Sequence, residues 1–267
     1  MAAENDAEAT PTGVAGYIEF EFDLPSALLA RLVDVFVEID EARLTIPNVA
    51  KIPDEQGVYQ LFLDGTLVYV GKTDGDAGLR SRLSRHATKL LSRHNLDPAR
   101  VNFKAVRIFV FTAMDLEGDL IRYYGGVSEL AWNGSGFGSN DPGKERDTTQ
   151  VKPTNFDAQF PINIDLPIDF RFIDGETVAA ALTRLKSTVP YTLRFQGQGG
   201  KSRQPHPDLT QSLVKGLASC QTTRQVLLQL ANSLPSGWHI TALPGYIIMY
   251  KNDNRKFPSG SQIATSP

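Results

Sequence analysis

Six side chains in the first half of this 267-residue chain could do chemistry together: Tyr59, Tyr69, Arg82, His86, Glu117 and Asn133. A guanidinium grips oxyanions through charge-assisted, often paired hydrogen bonds. An imidazole exchanges protons near neutrality, and a phenol does so only when its neighbours assist it. Glu117 falls along one side of a predicted helix with Met114, Leu120, Ile121 and Tyr124. A carboxylate in such company is costly unless it is paired, protonated or bound to a metal. Pairing with a buried Arg, reaching solvent at the helix edge and binding a metal are all open to it. Between Lys72 and Arg107 nine Lys/Arg stand against three Asp, which suits either a solvated cationic face or a phosphate-facing patch.

The elements that must position these groups are legible. Gly57–Leu63 and Leu67–Lys72 are rich in aromatic and β-branched residues, as strands prefer. The connector contains Asp64-Gly65, a strong hairpin signal. Leu79, Leu83 and Leu90 then recur at helical spacing and predict a helix over 79–93. At about 100° per residue, Arg82 and His86 lie about 40° apart on that helix. Arg85, Lys89 and Arg93 continue the same flank as a row of cations. Phe103–Phe111 reads as a central strand. Thr112 caps the next helix, with Asp115 three residues on, as in a capping box. Trp132–Gly143 is Gly-rich and irregular; a phosphate-cradling loop is one reading, although no Gly-Lys-Ser/Thr signature is present.

Upstream, residues 1–16 read as a disordered tail, and 17–22 alternate like a strand. Pro25-Ser26 opens a helix whose Leu28, Leu29, Leu32, Val33, Phe36 and Val37 form one face, suited to packing on the hairpin sheet. Pro47 and Pro53 bracket an extended approach to Gly57. Composition is that of a soluble globular protein, with 41% hydrophobic and 21% charged residues. No apolar run is long enough to span a bilayer, and the start lacks a secretory pattern, so a cytoplasmic location is expected. One cysteine, Cys220, excludes an internal disulfide and a cysteine-rich zinc site. A net charge of −3 argues against a generic polyanion-coating protein but not against a local basic surface.

Gly57-Val58-Tyr59, then Tyr69-Val70-Gly71, then Arg82 and His86 on the following helix, resemble the GIY-YIG endonucleases, metal-dependent DNA-cutting domains built on a small antiparallel sheet flanked by helices. Asn133 falls where that family carries an Asn. Gly136-Phe137-Gly138 with Asp141-Pro142-Gly143 is similar to a loop of its type II restriction branch that cuts CCGCGG. The resemblance covers 17–147; beyond Arg146 the pattern departs, so that target sequence is not carried over. It implies that Arg82 holds the scissile phosphate, that Tyr59 is the general base assisted by His86, Tyr69, Lys72 or a metal, and that Asn133 orients the phosphate or Tyr59. A lone carboxylate, Glu117, surrounded by water and phosphate oxygens suits Mg²⁺, or Mn²⁺ in its place. Lys72, Arg85, Lys89, Arg93, Lys104, Arg107, Lys144 and Arg146 would position double-stranded DNA without reading its sequence. Restriction or defence against foreign DNA is the implied role, and a palindromic double-strand cut would call for a homodimer. A non-catalytic nucleic-acid-binding module and a nicking or repair nuclease are the rival readings.

Residues 148–168 read as a linker or strap across the first domain. Residues 169–252 form a second small α+β domain: strand Phe170–Ile173, helix Glu176–Lys186, strand Tyr191–Phe195, a helix capped by Thr222, and a hairpin of Trp238–Leu243 and Tyr246–Tyr250. It resembles the small β-α-β modules of secretin and TonB-receptor N-terminal domains, a resemblance that lends no function; DNA specificity, dimer contacts or binding of a partner protein are the roles open to it. His206 and His239 read as structural or exposed. Residues 253–267 read as a tail.

Overall fold

The chain reaches its first sheet through α1 (Leu24–Glu38), where Asp23 accepts a hydrogen bond from the Ser26 N–H. The computed structural model describes residues 16–17, 23–73, 77–109, 115–138, 141, 143–199, 204–216 and 220–267. The strand expected at 17–22 and the tail before it therefore lie almost wholly outside the described residues, as do Thr112 and Met114. After β1 (Ala42–Arg43) comes α2 (Ile46–Val49), a helical turn with a proline in its first positions. The approach expected to be extended is thus partly helical, because Pro costs nothing where the N–H has no intrahelical partner.

β2 (Gly57–Leu63) and β3 (Thr66–Lys72) form the expected hairpin. Asp64 and Gly65 take φ of 51° and 77°, the left-handed pair that a two-residue hairpin turn needs. α3 (Leu79–Leu90) ends at Leu90 rather than Arg93. β4 (Val101–Arg107) lies inside the sheet, whose order is β1-β4-β2-β3 and antiparallel throughout. α4 (Leu116–Tyr123) follows, with Asp115 at its cap.

The sheet's two faces hold separate cores. Tyr59, Leu61 and Tyr69 pack with Leu79, Leu83 and Leu90 of α3. Val58 and Val70, turned the other way by the period of two, pack with Leu32, Val33 and Phe36 of α1 and with Leu116 and Leu120 of α4. Val37, expected on the packed face of α1, is exposed.

Of the two readings of 148–168, linker or strap, the structure shows a strap with two anchors. Phe156, which opens α5 (Phe156–Gln159), is fully buried against Trp132 and Phe137 in the first core. Ile162 and Ile164 are buried in the second. That core is built from β5 (Pro167–Phe170), α6 (Val178–Thr188), β6 (Thr192–Phe195), α7 (Pro207–Gln211), β7 (Cys220–Thr222), α8 (Thr223–Asn232), β8 (Trp238–Leu243), β9 (Tyr246–Lys251) and β10 (Ser261–Thr265). The second sheet runs β10-β8-β9-β6, with β6 parallel to β9 and the other pairs antiparallel; β5 and β7 pair apart from it. Thr222 caps α8 by accepting from the Gln225 N–H, as expected. The end of the chain is not a tail: β10 completes an edge beside β8, and its Ala264 is buried. The architecture is α+β, and among the described residues no helix is long and apolar enough to cross a membrane.

The second sheet turns its helix-free face toward the first half of the chain. There Asp147, wholly buried, accepts from Arg194 Nη2 at 2.5 Å, Tyr246 Oη at 2.8 Å and Tyr250 Oη at 3.0 Å. Removing Asp147 leaves Arg194 with Asp141 as its remaining carboxylate and deprives two buried phenols of their acceptor, at a cost of about 1–3 kcal/mol. Asp147→Ala is expected to lower unfolding stability by about that amount in urea titration; an unchanged midpoint would show that the junction contributes nothing.

Candidate active site

The register of the hairpin creates the site. Tyr59 stands opposite Gly71 and Leu61 opposite Tyr69, so both phenols rise on the α3 face. Gly71 is needed there for space: a Cβ would come within 2.6 Å of the Tyr59 hydroxyl and 2.8 Å of the Tyr69 ring. α3 delivers His86 from above, and Tyr59 Oη and His86 Nε2 are 2.8 Å apart. The imidazole is nearly inaccessible, at 2% exposure. It stacks on Phe137 at a centroid distance of 4.7 Å and meets Tyr69 edge-on at 5.5 Å. Tyr59, Tyr69, His86 and Phe137 thus pack ring against ring.

Glu117 arrives by a different route. The body of α4 packs on the far face of the sheet through Leu116 and Leu120. Its first turn, however, sits at the Lys72 end of β3, where Asp115 pairs with the Lys72 ammonium at 3.0 Å. Glu117 is half-buried there, close enough for its charge to act on Tyr59, Tyr69 and Lys72. The Arg82 guanidinium acts on both phenols and on Glu117 with the opposite sign. Two phenols, a guanidinium, an imidazole and an acid therefore share one electrostatic neighbourhood.

Burial governs the titration of each group. It lifts the Tyr59 phenol far above its ordinary value, with Tyr69 and Glu117 adding to the rise and Arg82 opposing it. Tyr69, less deeply buried, is raised by burial and by Glu117. Burial first, then Lys89, Arg82 and Arg85, push His86 down to about 3, so the imidazole is neutral at physiological pH. Burial also raises Glu117, against the pull of Lys72 and Arg82. The resting site thus holds neutral rings beside a partly desolvated carboxylate. Among the described residues no three His, Cys, Asp or Glu side chains gather as a metal cage. Glu117 alone would leave most of a cation's coordination sphere to water and substrate oxygens, an arrangement that suits a hydrated hard ion.

Several sequence-based expectations need correction. Asn133 does not face the rings: its Oδ1 accepts from the Val70 N–H and its Nδ2 donates to the Val70 carbonyl, both at 2.9 Å. It acts as a surrogate strand on the free edge of β3, where the Trp132 N–H also donates to Val68. The Gly-rich loop is accordingly a packed strap, with Trp132 and Phe137 buried. Lys89 and Arg93 are not an outward row. Lys89 Nζ donates to the carbonyls of Phe137 at 2.5 Å and Gly136 at 3.2 Å, and burial lowers its pKa. Arg93 is buried on Asp157 at 2.8 Å and on the Phe160 carbonyl at 2.9 Å. Lys104 lies on the α1 side of the sheet and donates to the Phe36 carbonyl. Arg107 pairs with Glu55 at 3.5 Å and lies over Phe109. Lys144 rests over Tyr250, while Arg85 and Arg146 are exposed.

Phe137 is the site residue that the residue types did not announce. The signal was its flanking glycines: a Cβ at Gly138 would come within 2.8 Å of the Tyr69 hydroxyl. Neither a protein-family model nor a curated protein matches this chain. Gly71→Ala, which forces a methyl between the two tyrosine rings, is expected to cost about 1–3 kcal/mol by overpacking, read from denaturant unfolding. Wild-type stability in that variant would mean that the rings are not packed against β3.

Proposed function

We propose that this protein is a metal-dependent DNA endonuclease that hydrolyses phosphodiester bonds at the Tyr59–Tyr69–His86 cluster, in restriction of or defence against foreign DNA within the cytoplasm. The observation that carries the reading is the 2.8 Å contact between Tyr59 Oη and His86 Nε2, with Arg82 and Glu117 in the same electrostatic neighbourhood. Phosphodiester hydrolysis needs an activated water, neutralisation of charge on the phosphate and a stabilised leaving oxygen. Arg82 supplies a fixed positive charge with the planar donor set that phosphate oxygens accept. Glu117 is the residue that would hold Mg²⁺ or Mn²⁺, which when bound polarises phosphate oxygens and acidifies water.

Tyr59 is the proton carrier. Its phenolate is too unstable in the resting cluster to exist free, so deprotonation has to be concerted with attack. As water oxygen bonds to phosphorus, the water proton passes to Tyr59 Oη and the phenol proton passes to His86 Nε2. The P–O bond to the leaving oxygen breaks, and that oxygen is protonated from solvent. A neutral imidazole is what such a step requires, because a protonated one has no lone pair to offer. Phe137, stacked on the ring, fixes the direction of Nε2. Tyr69 and Lys72 both feel the charge of Glu117 and would contact the substrate.

The test is incubation of purified protein with genome-sized DNA in Mg²⁺, with and without EDTA, followed by sequencing of any new ends. Cleavage that EDTA stops is expected, abolished in Glu117→Gln and Arg82→Ala. Tyr59→Phe removes one oxygen and is expected to slow cutting by about 10²–10⁴-fold, the usual worth of a positioned proton carrier. DNA that is bound yet left intact in Mg²⁺ and Mn²⁺, or undiminished cutting by Glu117→Gln, would overturn the reading.

A further inference from the structure

The cleft between the strap and the second sheet adjoins the tyrosine cluster, since His86 and Phe137 form part of its wall, and its charge is unlike that of the chain. It consists of two adjoining cavities of about 530 and 520 Å³ that share Lys89, Asp157, Gly245 and Tyr246 in their walls. Each is of the size that small ligands fill. Six cations line the pair (Arg85, Lys89, Arg93, Arg146, Lys152 and Lys186) against two carboxylates, Asp141 and Asp157, in a chain whose net charge is −3. Both carboxylates are already matched, Asp157 by Arg93 at 2.8 Å and Asp141 by Arg194 at 3.2 Å. Arg146, Lys152 and Lys186 are exposed and have no carboxylate partner among the described residues.

The rest of the lining mixes apolar side chains, among them Phe137, Val151, Val189 and Tyr246, with polar groups and bare backbone. Thr149, Gln150, Thr154 and Asn155 contribute hydroxyls and amides. Gly134 and Gly136, at φ of 71° and 84°, hold the loop wall in a left-handed course without side chains. Unmatched cations, neutral donors and bare backbone around a ligand-sized cavity form the donor set that phosphate oxygens accept.

We propose that this cleft is a second phosphate-ester site, on the side of His86 and Phe137 away from Tyr59, whose ligand is either a free nucleotide or the backbone of a nucleic-acid strand. Arg146 and Lys152 hold the phosphate from the strap, and Lys186 closes the far end from α6. An anion seated there lies within reach of Lys89, whose ammonium holds the carbonyl of Phe137, the ring stacked on His86.

The experiment uses full-length protein carrying Arg82→Ala and Glu117→Gln, so that the two charged groups of the candidate active site take no part. Equilibrium binding is measured for ATP, for orthophosphate and for a labelled single-stranded oligonucleotide. At least one probe is expected to bind. Adding Arg146→Ala with Lys152→Ala, or separately Lys186→Ala, is expected to weaken that binding, at least tenfold for the double variant. For the oligonucleotide the salt dependence of log K also falls by about one for each cation removed. Binding of ATP without the strand, or of the strand without ATP, identifies the source of the phosphate. No binding of any probe, or binding that survives both sets of substitutions in folded protein, would overturn the proposal. Cleavage plays no part in these readouts, so they stand even if the protein cuts no DNA.

Discussion

A hydrogen bond between a phenol and an imidazole, made where water does not reach, is the constraint from which the first half of this structure follows. Each partner would be costly to bury alone. Buried together at 2.8 Å they satisfy each other, and the low-dielectric surroundings hold both in their neutral forms. Every neighbour can be read as a condition of that bond. Gly71 leaves room for the phenol, Phe137 covers the imidazole, and Leu79, Leu83 and Leu90 fix α3 so that His86 points at β2.

The sheet separates support from chemistry. Its α1 face is an apolar core, and its α3 face carries the polar rings. Only the first turn of α4 comes round the end of β3 to put Glu117 beside them. Lys89 and Arg93, which belong to the same helical segment as His86 or follow directly on it, bind the strap rather than solvent, so the loop carrying Phe137 is tied to the helix carrying His86. The strap in turn is held by the second sheet through Asp147, Arg194, Tyr246 and Tyr250.

Local signals made much of this legible in the sequence. Asp64-Gly65 between aromatic runs specified the hairpin and, with it, which residues share a face. The leucine spacing specified α3, and the apolar run specified an interior β4. Side-chain destinations set by distant partners were not legible. Lys89 and Arg93 read as solvated cations because their acceptors, the carbonyls of Gly136, Phe137 and Phe160 and the carboxylate of Asp157, are backbone groups or lie across the strap. Asn133 read as a site residue through the family resemblance, and its pairing with the open edge of β3 has no sequence signature. β10 was hidden in a polar, proline-flanked stretch whose pairing is decided by the open edge of β8. Nothing in the local sequence marks Asp147 as the buried anchor of the junction.

The central claim is that His86 stays neutral because it is buried and bonded to Tyr59, and nitrogen-resolved NMR of labelled histidines tests it most directly. The chain has four histidines, and a His86→Gln sample assigns the one of interest. A group whose folded pKa is depressed to about 3 shows no protonation as the pH falls from 8 to 5, and its Nε2 signal shifts when Tyr59→Phe removes the phenol oxygen. An imidazole that titrates near 6.5, its ordinary value, with an Nε2 signal indifferent to Tyr59→Phe, would contradict the account.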